Sequence, residues 1–600
     1  RNEVFNFAVE FPDPYIPRSL TFEVSERVTA DGSVLQPLDE AALVRTIGEL
    51  KQQKVEAVAI CLLWSIVNPA HERRVGMLLE QHLPGVPYTL SHQINPSLRE
   101  YRRASSAAID ASLKPLMGQY MRDLEDRLHQ AGFPGRVFVV TSQAGLIDAR
   151  DGADAPIHLI NSGPAMAPIA GRYYASEDTA LDTAVVADTG GTTYDVSLVR
   201  RGRIPWTRET WIGTPYIGHM TGFPSVDVRS IGAGGGSIAA VDRGGLLHVG
   251  PRSAGAIPGP VCYGQGGTEP TVTDAALVLG HLDPAHFLGG AIPLDVESAR
   301  AAIEQKVAGP LGLSVEEAAA AVISVATENM VQAILDITVN QGIDPADAVL
   351  IGGGGAAGLN SAMIGTRLGS SAVIIPALGA ALSAAGALMS NLTQLYRATR
   401  FVSTQAFDFE AANEVLATLE GRAKRFLADA DGRDNQIEFT AEARYGSQVW
   451  EIEVPLRGSR FGGTSDVANF VADFHSAHES LFAIRDEASV IEVIGWTARA
   501  SCALTDKADF RLEAGKTKNR LPPHRRSYFS GVGFVDAALR DFDTMARGEQ
   551  VAGPAIIESP FTTVVVDPGA TAQKLKSGSI LITPSGVARN AEAAIAHAST

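Results

Sequence analysis

The chain is 600 residues long, 45% apolar and 20% charged, with 50 basic against 67 acidic residues and a net charge of −17. That length suggests three or four domains, and the acidic balance argues against a nucleic-acid partner. No uninterrupted apolar run approaches the ~20 residues of a membrane span, and three scattered cysteines, Cys61, Cys262 and Cys502, point to a reducing cytoplasm without a disulfide framework.

In chain order, Asp39 is a good N-cap for a helix through Ala41, Leu43 and Ile47 to Leu50. Val55 to Trp64 reads as a buried strand, which makes Cys61 a core residue. From Ser97 to Gly132 the spacing of Leu98, Tyr101, Ala108, Leu113, Leu116, Tyr120, Leu124 and Leu128 is helical. Arg136 to Thr141 is a strand. Residues 315–341 form an alanine-rich helix in which Glu328, Asn329 and Asp336 are polar interruptions with solvated or interhelical roles. From about 400 the pattern turns to strands at 441–445, 449–454 and 490–500, and 551–582 reads as a small β-domain. The tail from Ala588 to Thr600 is alanine-rich and suited to docking on a partner.

Two glycine-rich segments carry the chemistry. Val185 to Ala187 is apolar and ends in Asp188. Thr189-Gly190-Gly191-Thr192-Thr193 follows, and Tyr194-Asp195 opens a second apolar run to Val199. This is a β-hairpin whose turn can approach a phosphate: glycine leaves no Cβ in the way, and bared N–H groups and threonine hydroxyls donate to phosphate oxygens. Asp188 and Asp195 are placed to hold Mg²⁺ directly or through water. Ala348 to Ile351 reads as a buried strand, followed by Gly352-Gly353-Gly354-Gly355 and a helix toward Leu368, an arrangement that lays backbone against a nucleotide. No Gly-Lys-Ser/Thr closes this loop, so it is not a Walker A motif. A phosphate hairpin followed by strand–glycine–helix is the order of the actin, Hsp70 and sugar-kinase ATPases.

Other reactive residues receive plainer readings. His475 and His478 stand at i, i+3 beside Glu479 without a third ligand, short of a zinc site. His219 is a candidate acid or base, and His158 a weaker one. Cys262 is a packed thiol, since nothing nearby would lower its pKa.

Several stretches resemble the hydantoinase A/5-oxoprolinase family, which includes the ATP-binding subunits of acetone and acetophenone carboxylases. They are Ser162-Gly163-Pro164-Ala165, Asp227 through Gly232-Ala233-Gly234-Gly235-Gly236 to Ile238, Gly250 to Gly264, and Gly266 to Asp274. The resemblance implies an α/β fold with an actin/Hsp70/sugar-kinase-like (ribonuclease H-like) two-lobed ATPase core and a C-terminal β-rich domain. The divisions expected are 1–90 for the remainder of an N-terminal lobe, 91–161 for a connecting part, 162–398 for the second lobe and 399–600 for the C-terminal domain. Family members open with an Asp-x-Gly-Gly-Thr hairpin. Here the first hundred residues have none and the sequence starts at Arg1, so either a segment is missing, the preferred reading, or half a nucleotide site is absent. Where the family reads Ser-Asn-Gly-Gly, this chain has Ser142-Gln143-Ala144-Gly145, which removes support for a phosphate or hinge role of Gln143.

The resemblance implies an ATP-dependent enzyme subunit that activates a carbonyl or enolate oxygen by phosphorylation. Gly190, Gly191, Thr192 and Thr193 would hold the phosphates, Asp188 the Mg²⁺, and Gly353, Gly354 and Gly355 the adenosine or its α-phosphate. Asp227 and the Gly234–Gly236 run would line the cleft between lobes where substrate sits, Gly234, Gly235 and Asp195 count among the cofactor-binding residues, and Asp188, Asp227 and His219 are the candidate catalytic residues. A hydantoinase B-type partner is implied, with a small third subunit and Mn²⁺ or Zn²⁺ in the partner as open options. Ala256-Ile257-Pro258 and Leu481-Phe482-Ala483-Ile484 lean the reading toward a ketone carboxylase using ketone plus bicarbonate. A cyclic-amide hydrolase, a sugar-kinase-like phosphotransferase and a non-catalytic structural subunit are the alternatives.

Overall fold

Asp39 caps the first helix as its position predicts: its carboxylate accepts the Ala42 N–H at 2.9 Å, and Glu40–Gln52 follows. Leu43, Ile47 and Leu50 bury one face of that helix against Ile60, Leu62, Leu78, Leu79 and Leu90. The computed structural model describes residues 13–213, 215, 217–430, 432–504 and 521–586; the alanine-rich tail lies outside the described residues. The chain divides into two compact units. Described residues of the first fall within Arg1–Ser162, Trp206–Ser225 and Ser390–Asp506, and those of the second within Gly163–Pro205, Val226–Met389 and Lys507–Thr600.

In the first unit, the strand read over 55–64 shrinks to Val58–Ile60, paired in parallel with Tyr88–Leu90. The backbone leaves the extended region at Trp64, with φ of 56°, and Cys61 is half-buried rather than core. The long helix runs Glu100–Gln130 and stops before Gly132, whose φ of 88° favours glycine. A six-stranded sheet follows in the order Ile452–Pro455, Arg433–Tyr445, Ile491–Ala503, Leu392–Ser403, Leu146–Asp148 and Phe138–Val140. The expected run of strands after 400 is interrupted by Phe409–Ala430, whose Leu416, Leu419, Ala423 and Leu427 recur at helical spacing and share a core with Phe470, Phe474 and Trp496.

The second unit is built on an eight-stranded sheet. Its order is Val228–Ile231, Tyr194–Val199, Ala184–Thr189, Val349–Gly353, Val373–Ile375, Ile580–Thr583, Thr571–Lys574 and Gln550–Ala552. The hairpin forms as read, with Asp188 opposite Asp195. Val349–Gly353 lies parallel beside it, with Gly353 at the level of Asp188, so the register brings the two glycine motifs to the same end of the sheet. Residues 551–582 do not form a β-domain of their own. Gln550–Ala552, Thr571–Lys574 and Ile580–Thr583 join the large sheet, while Ala555–Glu558 and Thr563–Val566 join His524–Phe529 and Gly533–Asp541 in a second one. Ile580 to Ile582 and Ala555 to Ile557 are buried throughout, so these strands need cover on both faces, which a small separate domain would not give.

Ser314 and Glu317 form a capping box that starts the Val315–Asn340 helix. By length and composition this helix could cross a membrane, but 56% of its most apolar stretch is buried within the protein. Its interruptions are exposed, in keeping with a solvated role, and each also has a partner: Glu328 with Arg367, Asn329 with the Val249 carbonyl of a strand, and Asp336 with Gln332.

Asp178 ends the Ala167–Asp178 helix at 4% exposure, and its Oδ2 has no hydrogen-bond partner. Burial pushes its carboxyl up to about 6, against the opposing pull of the Ser577 and Ser579 hydroxyls. A raised carboxyl stabilises the fold fully below its unfolded value near 4, and that contribution is lost as pH rises through 6. Asp178→Asn removes the buried charge. It is expected to raise unfolding free energy by about 1–3 kcal/mol at pH 8 and to change little at pH 4, measured by urea denaturation at both.

Candidate functional site

Three glycine runs meet in the second unit. The Gly190 N–H donates to the Thr193 carbonyl at 3.0 Å and closes the hairpin turn, so this N–H, expected to face a phosphate, is already engaged. Gly191, Thr192 and Thr193 are exposed, and among the described residues the N–H groups of Gly191 and Thr192 donate to no protein acceptor. The turn's carbonyls hold the second run: Gly235 N–H donates to Gly190 O at 3.1 Å and Gly236 N–H to Gly191 O at 2.7 Å. The approach requires glycine, because a Cβ on Gly234 would lie 2.6 Å from Gly190 O. Gly235 O in turn accepts both the N–H and the hydroxyl of Thr273, each at 2.8 Å.

The third run crosses behind Thr189. Gly354 has φ of 85°, and a Cβ there would meet Thr189 O at 2.2 Å; the next residue but one, Ala356, donates its N–H to the same carbonyl. Gly353 is closed off by Leu382, whose Cδ2 would lie 2.3 Å from an added Cβ. Of the three glycines expected against a nucleotide, Gly355 reaches the surface of a cavity of about 250 Å³, beside Ala356, while Gly353 and Gly354 lie behind it. Gly190, Gly191, Gly235, Gly236 and Thr273 line one part of this cavity. Tyr263, Phe287, Leu288, Leu359 and Phe561 supply apolar surface elsewhere. A cradle of bare backbone combined with apolar walls suits a ligand that is anionic at one end and flat and apolar at the other.

Asp188 sits at the hairpin end, and its Oδ2 accepts the Ser383 hydroxyl at 3.0 Å. Burial raises its carboxyl, Ser383 opposes that, and the neighbouring Asp195 raises it again by like charge. Asp195 is itself raised by burial, against the Ser230 and Thr193 hydroxyls. Two such carboxylates are hard oxygen donors for a divalent cation. No cluster of three or more His, Cys, Asp or Glu suited to a metal occurs among the described residues, so the remaining ligands would be water and ligand oxygens.

The structure does not bring every candidate here. Asp227 is buried, accepts the Gln341 amide at 3.1 Å, lies 3.8 Å from Arg229, and is not among the residues lining the cavity. His219 belongs to the first unit, in a short pairing of His219–Met220 with Trp211–Ile212, with the Tyr15 ring edge-on at 5.4 Å. His475 is bound to the Tyr445 hydroxyl, and His478 to the Ile484 carbonyl and the Gln448 amide, so both are packing residues. Cys262 is fully buried, and burial together with Asp274 raises its thiol strongly, which removes the thiolate. Burial lowers His158 to about 4, leaving it neutral. Gln143 donates to the Pro224 carbonyl, a structural use. Phe287, Leu288 and Phe561 have no local signal, since the cavity gathers them from segments far apart in the chain. Thr273 stands in the Gly266–Asp274 stretch and could have been found there.

Residues 1–83 match the hydantoinase/oxoprolinase N-terminal region, 103–396 hydantoinase/oxoprolinase, and 403–576 the hydantoinase/oxoprolinase C-terminal domain. The chain is 36% identical over 577 residues to the caprolactamase subunit alpha of Pseudomonas jessenii, covering 95% of this chain and 82% of that one. It is 32% identical to the acetophenone carboxylase gamma subunit of Aromatoleum aromaticum, over 94% and 79% of the two chains. The crystal structure of the ATP-dependent caprolactamase from P. jessenii superposes with a TM-score of 0.85 at 34% identity, over 97% of this chain and 84% of that one. A nucleotide-free acetone carboxylase superposes at 0.73 and 26%, over 96% and 82%.

Proposed function

The chain belongs to the hydantoinase/oxoprolinase family, and we propose that it is the ATP-binding subunit of an ATP-dependent cyclic-amide hydrolase. The observation that carries the ATP reading is the cavity where Gly190–Gly191, Gly235–Gly236 and Gly355 converge, at the turn of the hairpin whose strands pair Asp188 with Asp195; neither carboxylate is itself among the lining residues. Together with the strand–glycine–helix element it supports an ATPase core of the actin, Hsp70 and sugar-kinase type. The N–H groups of Gly191 and Thr192 and the hydroxyls of Thr192 and Thr193 hold the β- and γ-phosphates, and the base lies toward Phe287, Leu288 and Phe561. Asp188 and Asp195 would hold Mg²⁺, which would supply charge neutralisation when bound.

Phosphoryl transfer needs positioning and charge neutralisation more than covalent help. The γ-phosphoryl group passes to the carbonyl oxygen of the cyclic amide and leaves ADP. Water then adds to the activated carbon and the ring nitrogen departs as an amine, leaving an acyl phosphate that a second water cleaves to the carboxylate and free phosphate. The chain's greater identity to a caprolactamase, 36% against 32% for a carboxylase subunit, favours this branch over the ketone carboxylase toward which the local sequence variants lean. Each of those relatives is named as a subunit, which supports a complex with a partner. The deciding assay is substrate-dependent ATP hydrolysis by the native complex. Turnover with caprolactam, hydantoin or 5-oxoproline alone is expected; turnover that requires acetone or acetophenone plus bicarbonate would move the chain to the carboxylase branch.

Gly191 separates binding from folding. A Cβ there meets nothing within 4 Å, so a side chain projects into open space on a residue that lines the cavity. Gly191→Val is expected to weaken ATP binding by about 100-fold or more and to shift the melting temperature by no more than about 2 °C. Nucleotide titration and a thermal melt of the same preparation check both, and unchanged affinity would remove the phosphates from this turn.

A further inference from the structure

The Phe409–Ala430 helix contributes Arg422, Arg425, Phe426, Asp429 and Ala430 to a cavity of about 360 Å³ in the first unit. Leu392 and Tyr396 from the Leu392–Ser403 strand add apolar surface, and Arg136 and Asp151 complete the lining. None of these residues lines the glycine-walled cavity. The volume falls within the range of small-molecule sites.

The charges here are of both signs and largely uncommitted. Arg136 is paired with Asp148 at 3.0 Å. The Arg422 guanidinium carbon lies over the Tyr396 ring, 4.7 Å from its centroid, a cation–π contact that takes up none of its N–H donors in an ion pair. Arg425 donates through Nε to the Gly421 carbonyl one turn back. Among the described residues neither Arg422 nor Arg425 meets a carboxylate, and neither Asp151 nor Asp429 has an ion-pair partner. The Tyr396 phenol is raised chiefly by burial; Arg422 and Arg425 draw it down while Asp151 and Asp429 push it up, so both signs surround one ring.

We propose that this cavity binds a small zwitterionic amino acid, its carboxylate on Arg422 and Arg425, its ammonium toward Asp151 and Asp429, and its carbon chain against Tyr396 and Phe426. A simple anion would meet two unpaired carboxylates and a simple cation two unpaired guanidiniums; a ligand with both ends satisfies all four groups. The zwitterion class stands on these charges alone. The choice of an ω-amino acid rests on the proposed lactam-opening reading, because that reaction releases one, and the site would then sense product.

The test is calorimetric titration of the purified complex, without nucleotide, with 6-aminohexanoate, hexanoate and hexylamine. Saturable binding of 6-aminohexanoate is expected, with each singly charged analogue about tenfold or more weaker. Arg422→Gln and Asp429→Asn should each weaken it about tenfold. Lys424→Gln, on the same helix but paired with Glu420 and absent from the cavity lining, should leave it unchanged. Hexanoate binding as tightly as the amino acid, or binding indifferent to both variants, would overturn the proposal. ATP-dependent lactam turnover is assayed on the same preparation. Turnover without amino-acid binding overturns the site alone; variant-sensitive binding without turnover upholds the site and overturns the hydrolase reading.

Discussion

Asp188→Ala is expected to lower ATP turnover by about 10³-fold while the protein remains folded. The carboxylate stands one residue from the end of the Ala184–Thr189 strand, opposite Asp195 in the hairpin, and accepts one hydroxyl from Ser383. Burial and the like charge of Asp195 both raise it, so in the absence of a cation the fold gains nothing from its ionised form. A raised carboxyl stabilises only below its unfolded value and loses that contribution as pH rises through the folded one. Removing the charge at neutral pH therefore leaves stability equal or slightly improved, which is the reverse of what a structural ion pair would do. Asp188→Asn keeps the shape and the Ser383 contact and should lose turnover equally. Both variants should raise the Mg²⁺ concentration needed for nucleotide binding. The checks are steady-state ATP hydrolysis in the native complex, a Mg²⁺ titration and a thermal melt. Retained turnover in Asp188→Asn would end the assignment, and a collapsed melt would return Asp188 to a structural role.

The hairpin was legible because its signals are local. An apolar run, an aspartate, a glycine turn and a second apolar run occupy fifteen consecutive residues, and the strand–glycine–helix element around Gly352 is equally contiguous. Their convergence is a matter of register, with Gly353 aligned to Asp188 in neighbouring parallel strands, which only the sheet order reveals. Local reading also cannot see which backbone groups the fold has already paired. The Gly190 N–H is taken by Thr193, and Gly353 and Gly354 are packed against Leu382 and Thr189, where a Cβ has no room. The apolar wall of the cavity is drawn from 263, 287–288, 359 and 561, and no window contains it. The helix over Phe409–Ala430 was within reach, since Leu416, Leu419, Ala423 and Leu427 keep helical spacing; the β-rich stretches on either side obscured it.

Glu442→Gln is expected to destabilise the first unit by about 3–5 kcal/mol at neutral pH. Glu442 is 5% exposed on the Arg433–Tyr445 strand, and its Oε1 accepts from the guanidiniums of both Arg208 and Arg397. Room for the carboxylate comes from Gly495, its cross-strand partner, where an added Cβ would lie 2.7 Å from Oε2. Burial alone would raise this carboxyl, but Arg397 and then Arg208 overcome that and hold it down at about 2. The Arg397 side chain is only 9% exposed, so neutralising Glu442 removes the carboxylate bonded to a nearly buried guanidinium and leaves it only the weaker pull of Glu453. The sign follows from linkage: a depressed carboxyl contributes stability that is present above its unfolded value near 4.5 and lost as pH falls through 2. The deficit of Glu442→Gln should therefore be full at pH 7 and shrink steadily below pH 4. Replacing Arg397 by methionine in the Glu442→Gln background should recover part of the loss, because it removes the buried charge left unpaired. Urea denaturation of the four proteins of this cycle at pH 7 and pH 3 gives the coupling. A deficit independent of pH, or additive losses in the double variant, would show that Glu442 acts through packing rather than charge.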